Sequence, residues 1–235
     1  FAIELGFSGY PSLQKSLQEL IKNKLTTVQR LDLSNDYICN GYTLKGVLKS
    51  DMENIRATME KINYSTFEDV VNNIFEAKRI YIIGLRSSMA LAEFLGFYLN
   101  VILQNVKTVG YGISDIFEEM INIGEGDLVI GIGFPRYANR TIDVLSFAQD
   151  RGATIVALTD SIISPLAQRA DYALIVQSNM ASFVDSLVAP LSVINALLIA
   201  VGLRQKESVS TTFNSLEEIW KEYNVYSYNH NNDEF

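Results

Sequence analysis

A chain of 235 residues with 48% hydrophobic and 20% charged residues can build one sizeable α/β domain and a smaller appendage, and it is too apolar to be disordered. Its net charge of −8 excludes a surface that binds nucleic acid along its whole extent, so any such contact needs a local basic patch or a further part of the protein. The single cysteine, Cys39, excludes an intramolecular disulfide and suits a reducing cytoplasm.

The first elements are helical in pattern. Phe1, Ile3 and Leu5 close one short element; no signal peptide opens the chain, and a start inside a helical stretch points to a fragment. A turn over residues 6–11 follows. Leu13, Leu17, Leu20 and Ile21 then form an apolar stripe behind Ser12, a candidate N-cap. Thr26–Gly41 is polar and irregular, as in a linker. Leu44–Ile62 reads as an amphipathic helix with Leu44, Val47, Leu48, Met52, Ile55 and Met59 on one face, and Thr66–Ala77 as a helix leading into the first strand.

From Arg79 onward short apolar strands alternate with helices. Strands are predicted at Arg79–Ile83, Lys107–Val109, Asp127–Ile132, Thr154–Leu158 and Tyr172–Val176. Helices are predicted at Ser88–Leu103, Ser114–Asn122, Asn139–Arg151, Ser164–Arg169 and Asp185–Leu203. This alternation implies a five-stranded parallel sheet sandwiched by helices. The uncharged run Leu187–Leu203 is shorter than a membrane span of about 20 residues and holds Pro190, Ser192 and Asn195, so it reads as a core or dimer helix. After Gln205 the chain reads as a polar tail with an aromatic cluster at Trp220, Tyr223, Tyr226 and Tyr228, fraying at its Asn-rich end.

In such sheets ligands bind beyond the carboxyl ends of the strands. Five turns would surround that mouth: Gly84–Ser88, Gly110–Ser114, Gly133–Asn139, Thr159–Ser161 and Gln177–Asp185. Where a strand hands over to a helix, free N–H groups and the positive end of the helix dipole hold an anion. Ser87 and Ser88 would either grip a phosphate there or simply cap the helix, and Gly84 lets the backbone approach a bound group. Arg86, Arg136 and Arg140 would fork onto phosphate oxygens or lie on the open surface.

Catalytic machinery is harder to find. Glu93, Asp115, Glu118, Glu119, Asp160 and Asp185 include any general base that an aldose–ketose isomerase would need, and spacing singles out none of them. Asp115 and Asp185 also read as first-turn acids that complement a helix dipole. The only histidine, His230, lies in the tail, so neither a Ser–His–Asp triad nor a Cys–His metal site is expected. The Gly84–Ser88 turn lacks both the three-glycine dinucleotide fingerprint and the lysine of a P-loop. No catalytic residue, metal or cofactor is assigned.

The runs IGLRSS (Ile83–Ser88), GEGDLVIG (Gly124–Gly131), RGA (Arg151–Ala153) and LTD (Leu158–Asp160) resemble the sugar isomerase (SIS) domain, which is flavodoxin-like in fold. The block GFPRY (Gly133–Tyr137) resembles a narrower group, the RpiR/MurR-type transcriptional regulators of bacteria, which join a helix-turn-helix to a SIS domain that senses a phosphosugar. Phe1–Leu20 looks like the end of that group's DNA-binding domain, beginning within its recognition helix. The resemblance divides the chain into a truncated DNA-binding end (1–25), a linker and helix (26–66), a SIS domain (67–205) and a tail (206–235).

The resemblance also implies a site. Ser88, with Ser87 beside it, takes the place of the serine that contacts the sugar phosphate. The second phosphate loop of these regulators usually opens with a serine and carries another five residues on, where this chain has Gly133 and Ala138. At about 0.5–1.5 kcal/mol per hydrogen bond, two lost hydroxyls weaken phosphate binding by about one to two orders of magnitude unless backbone N–H groups, Arg136 or Thr141 compensate. The expected phosphosugar contacts are Gly84, Arg86, Ser87, Ser88, Gly133, Arg136, Thr141 and, closing the pocket, Ser182. The implied protein is a cytoplasmic DNA-binding regulator of carbohydrate metabolism. It binds DNA through its N-terminal domain, takes a phosphosugar effector, forms a homodimer or higher homo-oligomer and involves no membrane. The alternatives are a phosphosugar isomerase-type enzyme and a dimerisation module that binds nothing.

Overall fold

The structure is a computed structural model that describes residues 2–3, 9–10, 25–31, 43–110, 112, 115–180 and 182–227. Five runs rich in Ile, Val and Leu form a parallel sheet: β1 (Ile80–Gly84), β2 (Val106–Val109), β3 (Leu128–Ile132), β4 (Thr154–Thr159) and β5 (Tyr172–Ile175), in the order β2-β1-β3-β4-β5. Around it lie α1 (Thr43–Lys61), α2 (Tyr64–Glu76), α3 (Met89–Leu103), α4 (Ile116–Glu119), α5 (Asn139–Gln149), α6 (Val188–Arg204) and α7 (Lys206–Glu222).

Every residue of β1 and β3 is buried, because helices cover both faces of the sheet. Alternate side chains go to opposite layers. Ile80, Ile82 and Ile130 pack under Val70, Ile74, Leu95, Leu99, Ile194 and Leu197 of α2, α3 and α6. Tyr81, Ile83 and Val129 pack with Ile116, Val144, Leu145 and Ala148 of α4 and α5. At the amino end of the sheet Asp127, 1% exposed, accepts hydrogen bonds from Arg79 Nε (3.1 Å), Arg79 Nη2 (2.7 Å) and Gly124 N (3.0 Å), so its charge is fully engaged.

Several elements depart from the sequence reading. The helix predicted over 114–122 shrinks to the single turn α4, closed at Met120 by non-helical backbone (φ −110°, ψ 16°). That predicted over 164–169 shrinks to a 3₁₀ turn, Ala167–Arg169. The helix predicted from Asp185 begins at Val188, which leaves Asp185 in the preceding loop. The polar tail instead carries α7, whose Val209, Phe213, Leu216 and Trp220 recur at helical spacing and are half-buried. Trp220 then meets the Tyr226 ring edge-on at 5.2 Å. The expectations for Ser12, Cys39, Tyr228, His230 and nearly all of the 1–25 segment fall outside the described residues.

The orientation of α1 is the largest surprise. Its apolar stripe faces outward, with Leu44 72% and Met52 70% exposed, while the residues it buries are Asn54 and Thr58. The contacts that fix this orientation lie in the chain beyond β5, which has no sixth strand beside it among the described residues. Asn54 supplies one: its Nδ2 donates to Asn179 O at 2.8 Å and its Oδ1 accepts from Asn179 N at 3.1 Å. Thr58 Oγ1 accepts from Gln177 N at 2.9 Å, and Ser186 Oγ donates to Asp51 Oδ1 at 2.6 Å. These hydrogen bonds satisfy the loop's backbone and leave the apolar stripe of α1 on its outer face. Among the described residues no single helix is long and apolar enough to cross a membrane.

Candidate functional site

β1 runs to β2 on one side of the sheet, while β3 lies on its other side, so the order reverses between β1 and β3. Their register pairs Gly84 with Ile132, and the two chains leave the sheet side by side as Leu85 and Gly133. One enters α3 and the other α5, on opposite faces. No side chain caps either helix: a 3₁₀ turn, Arg86–Ser88, leads into α3, with Ser88 N donating to Leu85 O at 3.3 Å and Met89 N to Arg86 O, and Ala138 at the head of α5 makes no capping hydrogen bond. Two helix N-termini without side-chain caps therefore flank one crevice, with the positive ends of their dipoles toward it, an arrangement suited to an oxyanion.

The first turn carries half of the expected residues. Gly84 is glycine because a Cβ would stand 2.6 Å from Ser88 O, so its smallness serves the tight turn onto α3. Arg86 is exposed and holds a left-handed backbone (φ 59°), a costly conformation for a non-glycine residue that recurs at ligand sites. Ser88 is buried, and Ser87 is exposed. Ser87 donates to Asp185 Oδ2 at 2.6 Å instead of capping the helix. Asp185 is thus a loop carboxylate turned into the mouth, which corrects its reading as a first-turn helix acid.

The second turn is narrower than the resemblance implies. A Cβ on Gly133 would meet Leu166 Cδ2 at 2.7 Å, so the serine that the resemblance implies there would require the buried Leu166 side chain to shift. Arg136 is exposed and donates from Nη2 to Thr27 Oγ1 at 3.1 Å. Thr141, in the first turn of α5, is 1% exposed, and its Oγ1 has no hydrogen-bond partner among the described residues. A buried hydroxyl without a partner is costly, and a bound oxyanion or water would satisfy it. Ser182 is half-buried in the loop between β5 and α6 that also carries Asp185.

Each candidate acid has a place. Asp115 caps α4 in a reciprocal box with Glu118 and accepts from Arg140 Nη2 at 2.7 Å, which takes Arg140 into a structural pair. Glu119 pairs with Lys107 at 3.2 Å. Asp160 accepts from Tyr137 Oη at 2.7 Å, and Thr159 Oγ1 lies 3.3 Å away. Burial first, then the neighbouring Asp160, pushes the Tyr137 hydroxyl far above its ordinary value, so it stays protonated and donates. Glu93 lines a separate cavity of about 370 Å³ along the β2 edge, with Phe97, Asn100 and Thr108. A second cavity, about 460 Å³, lies between α6 and α7. Neither reaches the mouth, where the chain's own groups hold each other: Ser87 with Asp185, Arg136 with Thr27, Tyr137 with Asp160. Among the described residues no group of three or more His, Cys, Asp or Glu side chains is placed to hold a metal ion.

One site residue escaped the sequence reading. Arg30 lies in a helical segment, residues 27–31, and is 8% exposed. Its Nη1 donates to Met180 Sδ at 3.1 Å, beside the loop that carries Asp185. Burial, then the Arg136 charge, pushes its guanidinium below the ordinary value, while Asp185 opposes that shift.

Comparison with known proteins fits this architecture. A solved sugar isomerase domain of an RpiR transcription factor from Sphaerobacter thermophilus is 29% identical, superposes with a TM-score of 0.72, and covers 75% of this chain and 99% of its own. An HTH-type transcriptional regulator of Haemophilus influenzae is 27% identical over 180 residues, covering 74% of this chain; the chain spans only 61% of that protein's length. The Vibrio vulnificus NanR protein complexed with ManNAc-6P shares the fold at 17% identity, with a TM-score of 0.64 over 94% of this chain and 79% of its own. Residues 73–200, which contain the whole sheet with α3 and α5, match the SIS domain, and the chain belongs to that family.

Proposed function

We propose that the crevice between β1 and β3 binds a phosphorylated sugar, and that the chain is the effector-sensing part of a DNA-binding transcriptional regulator of carbohydrate metabolism. The observation that carries this reading is the pair of helix N-termini without side-chain caps, the Arg86–Ser88 turn into α3 and the head of α5, side by side at the point where the strand order reverses. Ser88, Thr141 and the backbone beside Gly84 and Gly133 contact the phosphate, Arg86 and Arg136 offer guanidinium forks, and Ser87 and Ser182 border the sugar. The relatives named as transcriptional regulators favour sensing over isomerisation. So does the engagement of Asp115, Glu119, Asp160 and Asp185 with partners inside the protein.

The sensor acts in the cytoplasm as a homodimer, with DNA held by the N-terminal domain. Outward-facing Ile199 and Leu203 of α6, Phe97 of α3 and the stripe on α1 supply the apolar contact surface. A ligand that prefers one relative placement of the two DNA-binding heads shifts the population toward it; equal affinity for both shifts nothing.

The test is a titration of aldose, ketose and amino-sugar phosphates, ManNAc-6P among them, followed by melting temperature. Binding that raises the melting temperature and is lost in Ser88→Ala supports the reading, and no shift at millimolar concentration removes it. Conversion of a sugar phosphate, abolished by changing one mouth carboxylate, would turn the assignment to an isomerase. For assembly, Leu203→Glu is expected to reduce the sedimenting mass to that of one chain.

A further inference from the structure

We propose that the effector site extends beyond the SIS domain: Arg30, from the segment 27–31, supplies a phosphate-binding cation, and Asp185 occupies the anion position until the phosphate displaces it. This rests on the reading of the mouth as a phosphosugar site.

Three contacts place these groups together. Arg136, on the turn after β3, donates to Thr27 at 3.1 Å, and Arg30, one helical turn beyond Thr27, donates to Met180 at 3.1 Å on the loop after β5. The segment is thus tied to two of the loops that frame the crevice. The loop after β5 also presents Asp185 to Ser87 at 2.6 Å, across the head of α3. Arg30 is buried close enough to Arg136 and Asp185 for both charges to act on it. The Arg136 charge opposes that of Arg30, and the Asp185 carboxylate offsets it. A phosphate dianion carries more charge and more acceptor oxygens than a carboxylate, and it binds an arginine fork in the same bidentate way.

Displacement has a mechanical consequence. Drawing Arg136 and Arg30 onto a phosphate pulls on the Thr27 contact, so site occupancy is felt by the segment that precedes α1. That segment lies in sequence between the SIS domain and the stretch that resembles a DNA-binding head. The coupling equals the difference in affinity between the two placements of the segment, and nothing more distant is needed.

The experiment measures the affinity of the whole chain for inorganic phosphate and for ManNAc-6P, with hydrogen exchange read at residues 27–31. Arg30→Gln is expected to weaken both ligands at least tenfold and Arg30→Lys less. Asp185→Asn is expected to tighten both severalfold, and ligand is expected to change exchange at 27–31. Normal affinity in Arg30→Gln, with binding lost in Ser88→Ala, overturns this inference and leaves the phosphosugar site standing. A parent chain that binds neither ligand overturns both. Should Arg30→Gln fail to fold, Asp185→Asn decides, since unchanged or weaker binding there shows that its carboxylate does not stand in for the phosphate.

Discussion

Leu166 fills the space that a side chain at Gly133 would need: a Cβ there would stand 2.7 Å from Leu166 Cδ2 and 3.2 Å from Cδ1. Leu166 is fully buried beneath the mouth. The missing hydroxyl at 133 and the leucine at 166 are therefore one feature, a turn closed over an apolar plug.

Restoring the serine alone should fail. Gly133→Ser is expected to cost about 1–3 kcal/mol of stability through overpacking. Leu166→Val makes room at the price of a small void. Combined with Gly133→Ser it should destabilise less than the sum of the single changes, because the residues touch. The double variant should also bind sugar phosphates about 2–10-fold more tightly, the yield of one added hydrogen bond. Denaturant melts of the four proteins, with phosphate titrations of the folded ones, check both statements. Additive losses with unchanged affinity would separate residue 133 from the site.

The sheet was legible because its signal is local. Runs such as IYIIG and LVIGI, bounded by glycine turns, allow little but buried parallel strands, and all five fall within a residue or two of expectation. The first turn was legible for the same reason, although only the structure shows that Ser87 and Ser88 do not cap α3. What escaped depends on tertiary closure. The outward stripe of α1 accompanies its hydrogen bonds to Gln177 and Asn179, more than a hundred residues away. Asp185 looked like a helix acid until α6 began three residues later. Arg30 carries no periodic or motif signal within the polar stretch Thr26–Gly41, and only the return of that segment to the mouth reveals it. The stripe of α7 was visible in Val209, Phe213, Leu216 and Trp220 but diluted by polar neighbours.

Thr141 offers a test in which stability and binding move in opposite directions. Its Oγ1 is buried without a partner among the described residues, a situation that costs about 1–3 kcal/mol. Thr141→Val keeps the shape and removes the hydroxyl. The ligand-free protein should then melt higher, by about 1 kcal/mol of stability, while affinity for sugar phosphates falls about 2–10-fold. A variant that loses stability would mean that the hydroxyl is already satisfied, and one that binds as before would place it outside the site.

Asn54 stands in for a strand, and its loss should be felt in the loop rather than in the helix. Asn54→Ala removes both hydrogen bonds to Asn179, at an expected cost of about 1–3 kcal/mol, since water can reach part of the loop. Amide exchange at Asn179 should accelerate first, with Gln177 following as α1 loosens from the loop. Because this loop also carries Asp185, the variant should alter phosphate binding without touching the pocket. Unchanged exchange at Asn179 would show that β5 alone holds the loop.

The Asp160 carboxyl sets a pH dependence of unusual sign for an acid. Burial pushes it above the ordinary value, and the hydrogen bonds from Tyr137 and Thr159 only partly pull it back. An unfolded aspartate titrates near about 3.9, so between that pH and the higher folded value the native chain holds a proton that the unfolded chain has lost. Stability from this group is therefore gained as pH falls through that window and lost as pH rises through the folded value. Asp160→Asn removes the buried charge and keeps an oxygen for Tyr137. Near pH 7 it should be at least as stable as the parent, and any advantage should shrink toward pH 4 as the parent's carboxyl takes up its proton. Tyr137→Phe deletes the strongest donor to the carboxylate, so it should carry the upper edge of the window to higher pH. Melts of the three proteins from pH 4 to pH 8 decide the matter; an advantage of Asp160→Asn that grows on acidification would mean that the carboxylate is stabilised, not strained, by its surroundings.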